Sequence, residues 1–151
     1  MEPCDFPARA PLAVQIVFLG HRLTNLFERR LAGHGHSHTQ AAVLMALRRN
    51  PGLIAQHLVG PISVEAPSIT RALQALERRR LVERRPHPTD GRASIFYLTG
   101  TGEVEAQRIA SLMQEISGEI EAGLAPEQRQ ILREALPAVL ARIEQARGVA
   151  V

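Results

Sequence analysis

The chain has no tryptophan, no lysine and a single cysteine in 151 residues. Each absence closes off a class of protein. One thiol, Cys4, excludes an intramolecular disulfide and any zinc site built on cysteines. Aromatic residues are 3% of the total, one Tyr and four Phe, so the core must be aliphatic and a planar ligand meets few rings to stack on. No apolar run approaches the roughly 18 residues of a membrane span. The N-terminus lacks the basic stretch and apolar core of a signal peptide. A soluble cytoplasmic protein with no membrane partner is expected. There is no phosphate-cradling glycine loop, no HExxH and no nucleophile motif. The expectation is therefore no enzyme, no catalytic residue and no cofactor.

What remains is the composition of a globular chain, 45% hydrophobic and 22% charged. Its length fits one domain, or one domain with dimerisation arms. The net charge of +3 is unevenly placed. Residues 1–67 carry +2. Residues 68–95 hold seven Arg against Glu77, Glu83 and Asp90, for +4. Residues 96–151 hold five Arg against eight acids, for −3. A basic centre beside an acidic C-terminal third points to a local patch for a polyanion. Taken alone, it is equally an ordinary solvated charge run.

Apolar spacing divides the chain into elements. Residues 1–11, with three prolines, read as a flexible arm. A helix is expected over 12–32, with Ile16, Leu19, Leu23, Leu26, Phe27 and Leu31 on its stripe. Residues 33–38, GHGHSH, read as a loop, and Thr39 as the N-cap of a helix to about 49. That helix buries Ala42, Val43, Ala46 and Leu47. Asn50-Pro51-Gly52 breaks the chain. A shorter helix over about 53–62 follows, with Ile54, Leu58, Val59 and Ile62 apolar. The clearest helix spans 66–80: Ile69, Ala72, Leu73 and Leu76 form its apolar face. At about 100° per residue, Pro67, Arg71, Gln74 and Arg78 fall opposite, flanked by Ser68 and Thr70. Strand-like runs at 81–85 and 94–98 enclose Asp90-Gly91, a hairpin signal. Two helices close the chain. One, at about 101–123, carries Ile109, Leu112, Met113, Ile116 and Ile120. The other, at about 126–147, carries Ile131, Leu132, Ala135, Leu136, Val139, Leu140 and Ile143, with Pro137 expected to kink it.

This order describes a winged helix-turn-helix: mainly α, with a small β-hairpin wing. The chemistry fits double-stranded DNA. A helix can enter the major groove, where Arg pairs with guanine and Gln with adenine. Ser68, Thr70, Arg71 and Gln74 occupy that half of the helix. Arg78, Arg79, Arg80, Arg84 and Arg85 can hold phosphates, which position without specifying. Arg92, just past the hairpin turn, can reach a minor groove.

Three stretches carry a resemblance to a known family. They are VEAPSITRALQALERRRLVERR, DGRASIFYLTGTG and TQAAVLMAL. They are similar to the recognition helix with its first wing strand, the wing signature and the second helix of the MarR regulators, within them the SlyA-like branch. The resemblance is close over about 39–104. It implies that Arg92 enters the minor groove, that Asp90 orients a neighbouring Arg, and that Ser68, Thr70 and Arg71 face the major groove. It also implies a homodimer, a palindromic operator, a repressor role and release by a small phenolic or aromatic anion. The organisation that follows is an arm (1–11), a first dimerisation helix with the His loop (12–38), a DNA-binding domain (39–100) and dimerisation helices (101–147). The sequence departs from the family pattern at Gly60-Pro61, inside the helix before the recognition helix. It departs again at Val59, Ser63 and Gly91, and at Ala66, a poor N-cap before Pro67.

Two other triggers are weighed. His34, His36 and His38 alternate, and alternating histidines can bind zinc or nickel. A metal-responsive regulator or metal-binding helical protein is the alternative reading. Such a loop is more often plain solvent-exposed chain, and no metal site is assigned. Cys4 is a candidate peroxide sensor. Neighbouring Glu2 and Asp5 disfavour the thiolate that role needs.

Overall fold

In the computed structural model, residues 6–62, 64–91, 93–146 and 148 are described. Cys4, Ser63 and Arg92, singled out above, lie outside them. The element order is α1 (Leu12–Ala32), α2 (His38–Arg49), β1 (Leu53–Ile54), α3 (Ala55–Ile62), α4 (Ala66–Arg78), β2 (Val82–Pro86), β3 (Ser94–Leu98), α5 (Gly100–Ala122) and α6 (Pro126–Ala146). The architecture is the expected one, mainly helical with a small antiparallel sheet.

One compact unit ends at Ala110 and a second begins at Ser111, so α5 belongs partly to each. In the first unit, α2, α3 and α4 pack on one another and on the sheet, and α1 packs on α2. The sheet order is β1-β3-β2. Helix α4 buries all four of its expected apolar residues, Ile69, Ala72, Leu73 and Leu76, against a core that includes Val43, Leu44, Leu47 and Leu58. Each fully buried aliphatic side chain there contributes about 1.5–3 kcal/mol.

Local chemistry moves several boundaries. Helix α2 starts at His38, with Ser37 rather than Thr39 as its cap. The Ser37 hydroxyl accepts from Gln40 N–H at 3.2 Å, and the Gln40 side chain accepts from Ser37 N–H at 3.1 Å, a complete capping box. Its buried face is Ala41, Val43, Leu44 and Leu47, while Ala42 and Ala46 are only half-buried. Residues 53–54 are strand, not helix. Gly52, at φ +79°, turns the chain, and Leu53 and Ile54 pair with Phe96 and Ile95. That leaves α3 eight residues, with Gly60 and Pro61 in its last turn. Helix α6 runs continuously from Pro126 to Ala146 with Pro137 inside it. Pro137 still removes one helical N–H.

Helix α4 stops at Arg78, two residues early. Arg79 is its C-cap and Arg80 takes a left-handed φ of 58°. Arg80 N–H bonds Glu77 O at 2.8 Å and Leu81 N–H bonds Leu76 O at 3.0 Å. This is a Schellman ending with an arginine where glycine is favoured. It turns the chain straight into β2. Among the described residues, no helix is long and apolar enough to cross a membrane.

Candidate nucleic-acid interface

The outer face of α4 carries Thr70, Arg71, Gln74 and Arg78, all exposed, with Ser68 half-buried at its edge. The helix starts at Ala66, so Pro67 sits at its second position, where a missing N–H costs nothing. Glu65 is the N-cap but makes no side-chain cap bond. Two side chains on the face are held locally. Arg71 Nη2 donates to Ser68 Oγ at 3.1 Å, and Thr70 Oγ1 donates to Ala66 O at 3.1 Å. Arg71 is therefore folded one turn back toward the N-terminal end of the helix, where a groove-entering helix meets base edges.

The wing is the β2–β3 ribbon, with Val82 opposite Leu98 and Arg84 opposite Phe96. Alternation puts consecutive residues on opposite faces. Arg84 Nε donates to Ser94 Oγ at 2.7 Å. Arg85 lies 4.6 Å above the Tyr97 ring and also bonds Glu83. The two arginines thus serve different sides of the ribbon. On the Arg84 side, a cavity of about 330 Å³ opens between α4 and the wing. Gln56, Thr70, Gln74, Glu77, Arg84 and Ser94 supply its polar groups, and Leu73 and Phe96 its apolar floor.

At the wing tip, His87 organises the turn. Its Nδ1 accepts from Thr89 N–H at 3.3 Å and Asp90 N–H at 3.2 Å. Asp90 is exposed, and its carbonyl accepts from Ala93 N–H at 3.0 Å. Arg92 lies outside the described residues, so its pairing with Asp90 rests on the resemblance.

The histidine loop behaves differently from plain solvent-exposed chain. His34 is exposed, and His38 stacks on Phe27 with ring centroids 6.2 Å apart. His36 is buried, with its side chain fully enclosed. Its Nε2 lies 3.0 Å from Glu105 Oε1 and its Nδ1 lies 3.1 Å from Arg79 Nη1. Among the described residues, no group of three His, Cys, Asp or Glu side chains is placed to hold a metal. Burial pushes the His36 imidazole below its ordinary value. The Glu105 hydrogen bond opposes that shift and the Arg79 charge reinforces it. Burial works against the Glu105 charge, but the His36 hydrogen bond and Arg108 outweigh it and hold the carboxyl below the usual range. Arg79, grouped above with the phosphate contacts, is exposed but has its guanidinium engaged by the loop, donating also to Gly35 O at 2.8 Å.

Sequence reasoning missed this cluster, the half-buried Tyr97 under Arg85, and Ser37. Only Ser37 had a local signal, the S-x-x-Q spacing of a capping box.

Comparison with known proteins fits this geometry. Residues 34–93 match the MarR family. An HTH-type transcriptional regulator of Mycobacterium tuberculosis is 28% identical over 137 residues, covering 91% of this chain and 96% of that protein. The apo structure of Escherichia coli MarR superposes with a TM-score of 0.77 at 26% identity, covering 87% of this chain and 97% of that one. A mutant of the same protein complexed with operator DNA gives a TM-score of 0.76 at 25% identity, over 91% and 99% of the two chains. The matched proteins are transcriptional regulators, and this chain has their winged helix-turn-helix fold.

Proposed function

We propose that this chain, with a MarR-type winged helix-turn-helix over residues 34–93, is a homodimeric, sequence-specific DNA-binding regulator that represses from a palindromic operator. The observation that carries the reading is the exposed row of Thr70, Arg71, Gln74 and Arg78 on α4, beside a wing bearing Arg84 and Arg85. Arg71 and Gln74 read base edges, with Ser68 and Thr70 at the rim of the contact. Arg78, Arg84 and Arg85 hold phosphates. Asp90 and Arg92 complete the wing in the minor groove, as the resemblance implies. The SlyA-like placement rests on the wing signature and recognition-helix stretch.

Dimerisation is supported by apolar side chains left in solvent by a single copy. Leu12, Val14, Val17, Leu19 and Leu23 are exposed on α1, and Ile131, Leu132, Leu136, Leu140 and Ile143 on α6. Leu12, Leu19 and Leu23 share one side of α1, and Leu132, Leu136, Leu140 and Ile143 one side of α6, and exposed apolar faces of this kind mark interfaces. A two-fold pair then offers two recognition helices to half-sites about one helical turn apart.

A small-molecule effector completes the reading. The cavity beneath the wing sets the Arg84 guanidinium, the Glu77 carboxylate and two hydroxyls around an apolar floor, so a phenolic or aromatic ligand there would place an anionic group on Arg84 and a hydroxyl donor on Glu77. An occupant there touches Thr70 and Gln74, on the DNA-reading helix, and so biases DNA release.

The test is selection of bound duplexes from a random pool, followed by titration of the selected duplex. A dimer neutralising about 6–10 phosphates loses about 10³–10⁵ in affinity between 50 and 200 mM salt. No enriched sequence and a flat salt response refute the proposal.

A further inference from the structure

His36 is the one buried polar side chain among the described residues. Its contacts leave it a single chemical state. Arginine can only donate, so Nδ1, 3.1 Å from Arg79 Nη1, must accept. The proton then sits on Nε2, which donates to the Glu105 carboxylate at 3.0 Å. His36 is therefore a neutral imidazole in one tautomer.

Its three attachments belong to three elements. Arg79 is the C-cap of α4, with its own N–H bonded to Ala75 O. Glu105 lies near the start of α5. The His36 backbone N–H bonds Leu31 O at 3.2 Å, which ties the loop to the end of α1, and Gly35 at φ +72° makes the turn that allows it. The charged groups facing the imidazole are Arg79 from the end of α4 and Glu105 from α5, with His34 from its own loop. Arg108 backs Glu105 from one turn further on, at 3.3 Å. Arg79 and Glu105 are joined only through the ring in this chain of contacts.

We propose that His36 is a positioning residue for DNA recognition, a neutral bridge that fixes the C-terminal end of the recognition helix to α5. The inference rests on the DNA-binding reading above. The physical argument is leverage. Helix α4 has 13 residues, about 20 Å at 1.5 Å per residue, and its base-reading half lies at the far end from Arg79. Releasing Arg79 from α5 removes one restraint on the helix's tilt, and small tilts about the buried Ile69, Ala72, Leu73 and Leu76 contacts that still hold it displace the far end most. Bidentate base contacts depend on fixed geometry, whereas phosphate contacts tolerate small shifts because they carry no sequence register. Loss of the bridge should therefore lower discrimination between sequences and leave general DNA affinity nearly intact.

The test uses Glu105, which lies outside the reading face, so that folding of His36 variants does not decide the outcome. The probes are the duplex selected by the wild-type protein and a scrambled duplex of equal length and composition. Glu105→Ala removes the acceptor, and Glu105→Gln keeps an oxygen that still accepts from Nε2–H. Glu105→Ala is expected to lower the ratio of the two affinities by about fivefold or more. Affinity for the scrambled duplex should stay within about twofold, and Glu105→Gln should restore the ratio to within about twofold of wild type. An unchanged ratio in Glu105→Ala, or an equal loss in Glu105→Gln, overturns the bridge while leaving DNA binding intact. A wild-type protein that prefers no selected duplex overturns the DNA reading and this inference together.

Discussion

Gly102→Ala should destabilise the protein, although ordinary helix logic predicts the opposite. Gly102 lies in the first turn of α5, where alanine is favoured over glycine by about 1 kcal/mol. A Cβ there would stand 1.9 Å from Leu81 O and 2.9 Å from Leu81 C. The obstacle is backbone, and it is pinned. Leu81 O accepts Thr99 N–H at 3.0 Å, and Arg80 O accepts the Thr99 hydroxyl at 2.7 Å. Thr99 Oγ1 in turn accepts Gly102 N–H at 3.0 Å, capping α5. Making room means parting α5 from the start of β2. That loses a hydrogen bond of about 1 kcal/mol and a cap of about 1 kcal/mol, and adds overpacking strain of about 1–3 kcal/mol. After the propensity gain, the net loss is about 2–4 kcal/mol. Urea unfolding followed by circular dichroism, at one fixed protomer concentration, measures it. Gly118→Ala is the internal control. It lies in the same helix with nothing within 4 Å of the added atom, and should gain about 0.5–1 kcal/mol. A Gly102→Ala protein as stable as wild type would refute the close approach of α5 to Leu81.

Three further outcomes follow. Arg71→Ala should cost about 1–3 kcal/mol in specific binding and relax the preference at one operator position; binding assays against single-base variants of the selected duplex check it, and a uniform loss across all variants would make Arg71 a phosphate contact. Arg80→Gly should stabilise the fold by about 0.5–1 kcal/mol, because the left-handed φ of 58° costs a non-glycine residue roughly 1–2 kcal/mol and glycine returns part of that as unfolded-chain entropy; a lowered urea midpoint contradicts this. Acidification should destabilise the protein through His36: burial holds its folded value below the ordinary 6.5, so the unfolded chain takes up the proton first, and this contribution, full above about 6.5, is lost as pH falls toward the folded value. Glu105, also depressed, keeps its contribution until pH falls below its ordinary 4.5. His36→Leu should flatten the upper part of that slope, and equal slopes in both proteins would place the titration elsewhere.

The elements that were legible in the sequence are those whose information is local. Ile69, Ala72, Leu73 and Leu76 repeat at helical spacing in one strongly two-faced segment, and all four are buried. The Arg71 face follows from them by geometry. The two residues of β1 escaped because a strand of that length has no period. Leu53 and Ile54 are extended only because β3 offers them partners more than forty positions away. Leu44 escaped because α2 is apolar on more than one side, so its inward face is chosen by its neighbours. His36 was unreadable for the same reason. Glycine neighbours suggested solvent, while the groups that satisfy it, Arg79 and Glu105, stand 43 and 69 positions away.

The pairing of Arg85 with Tyr97 has a consequence for how the molecule can be watched. Tyr97 is the only tyrosine and there is no tryptophan, so the chain's tyrosine emission, excited at wavelengths the four phenylalanines do not absorb, comes from a single ring at the base of the wing. A guanidinium lies 4.6 Å over that ring, and Gly52 passes so close beneath that an added Cβ would stand 2.8 Å from the phenol oxygen. The wing therefore carries its own fluorophore, and any event that draws Arg85 away changes the light from that one residue without a label.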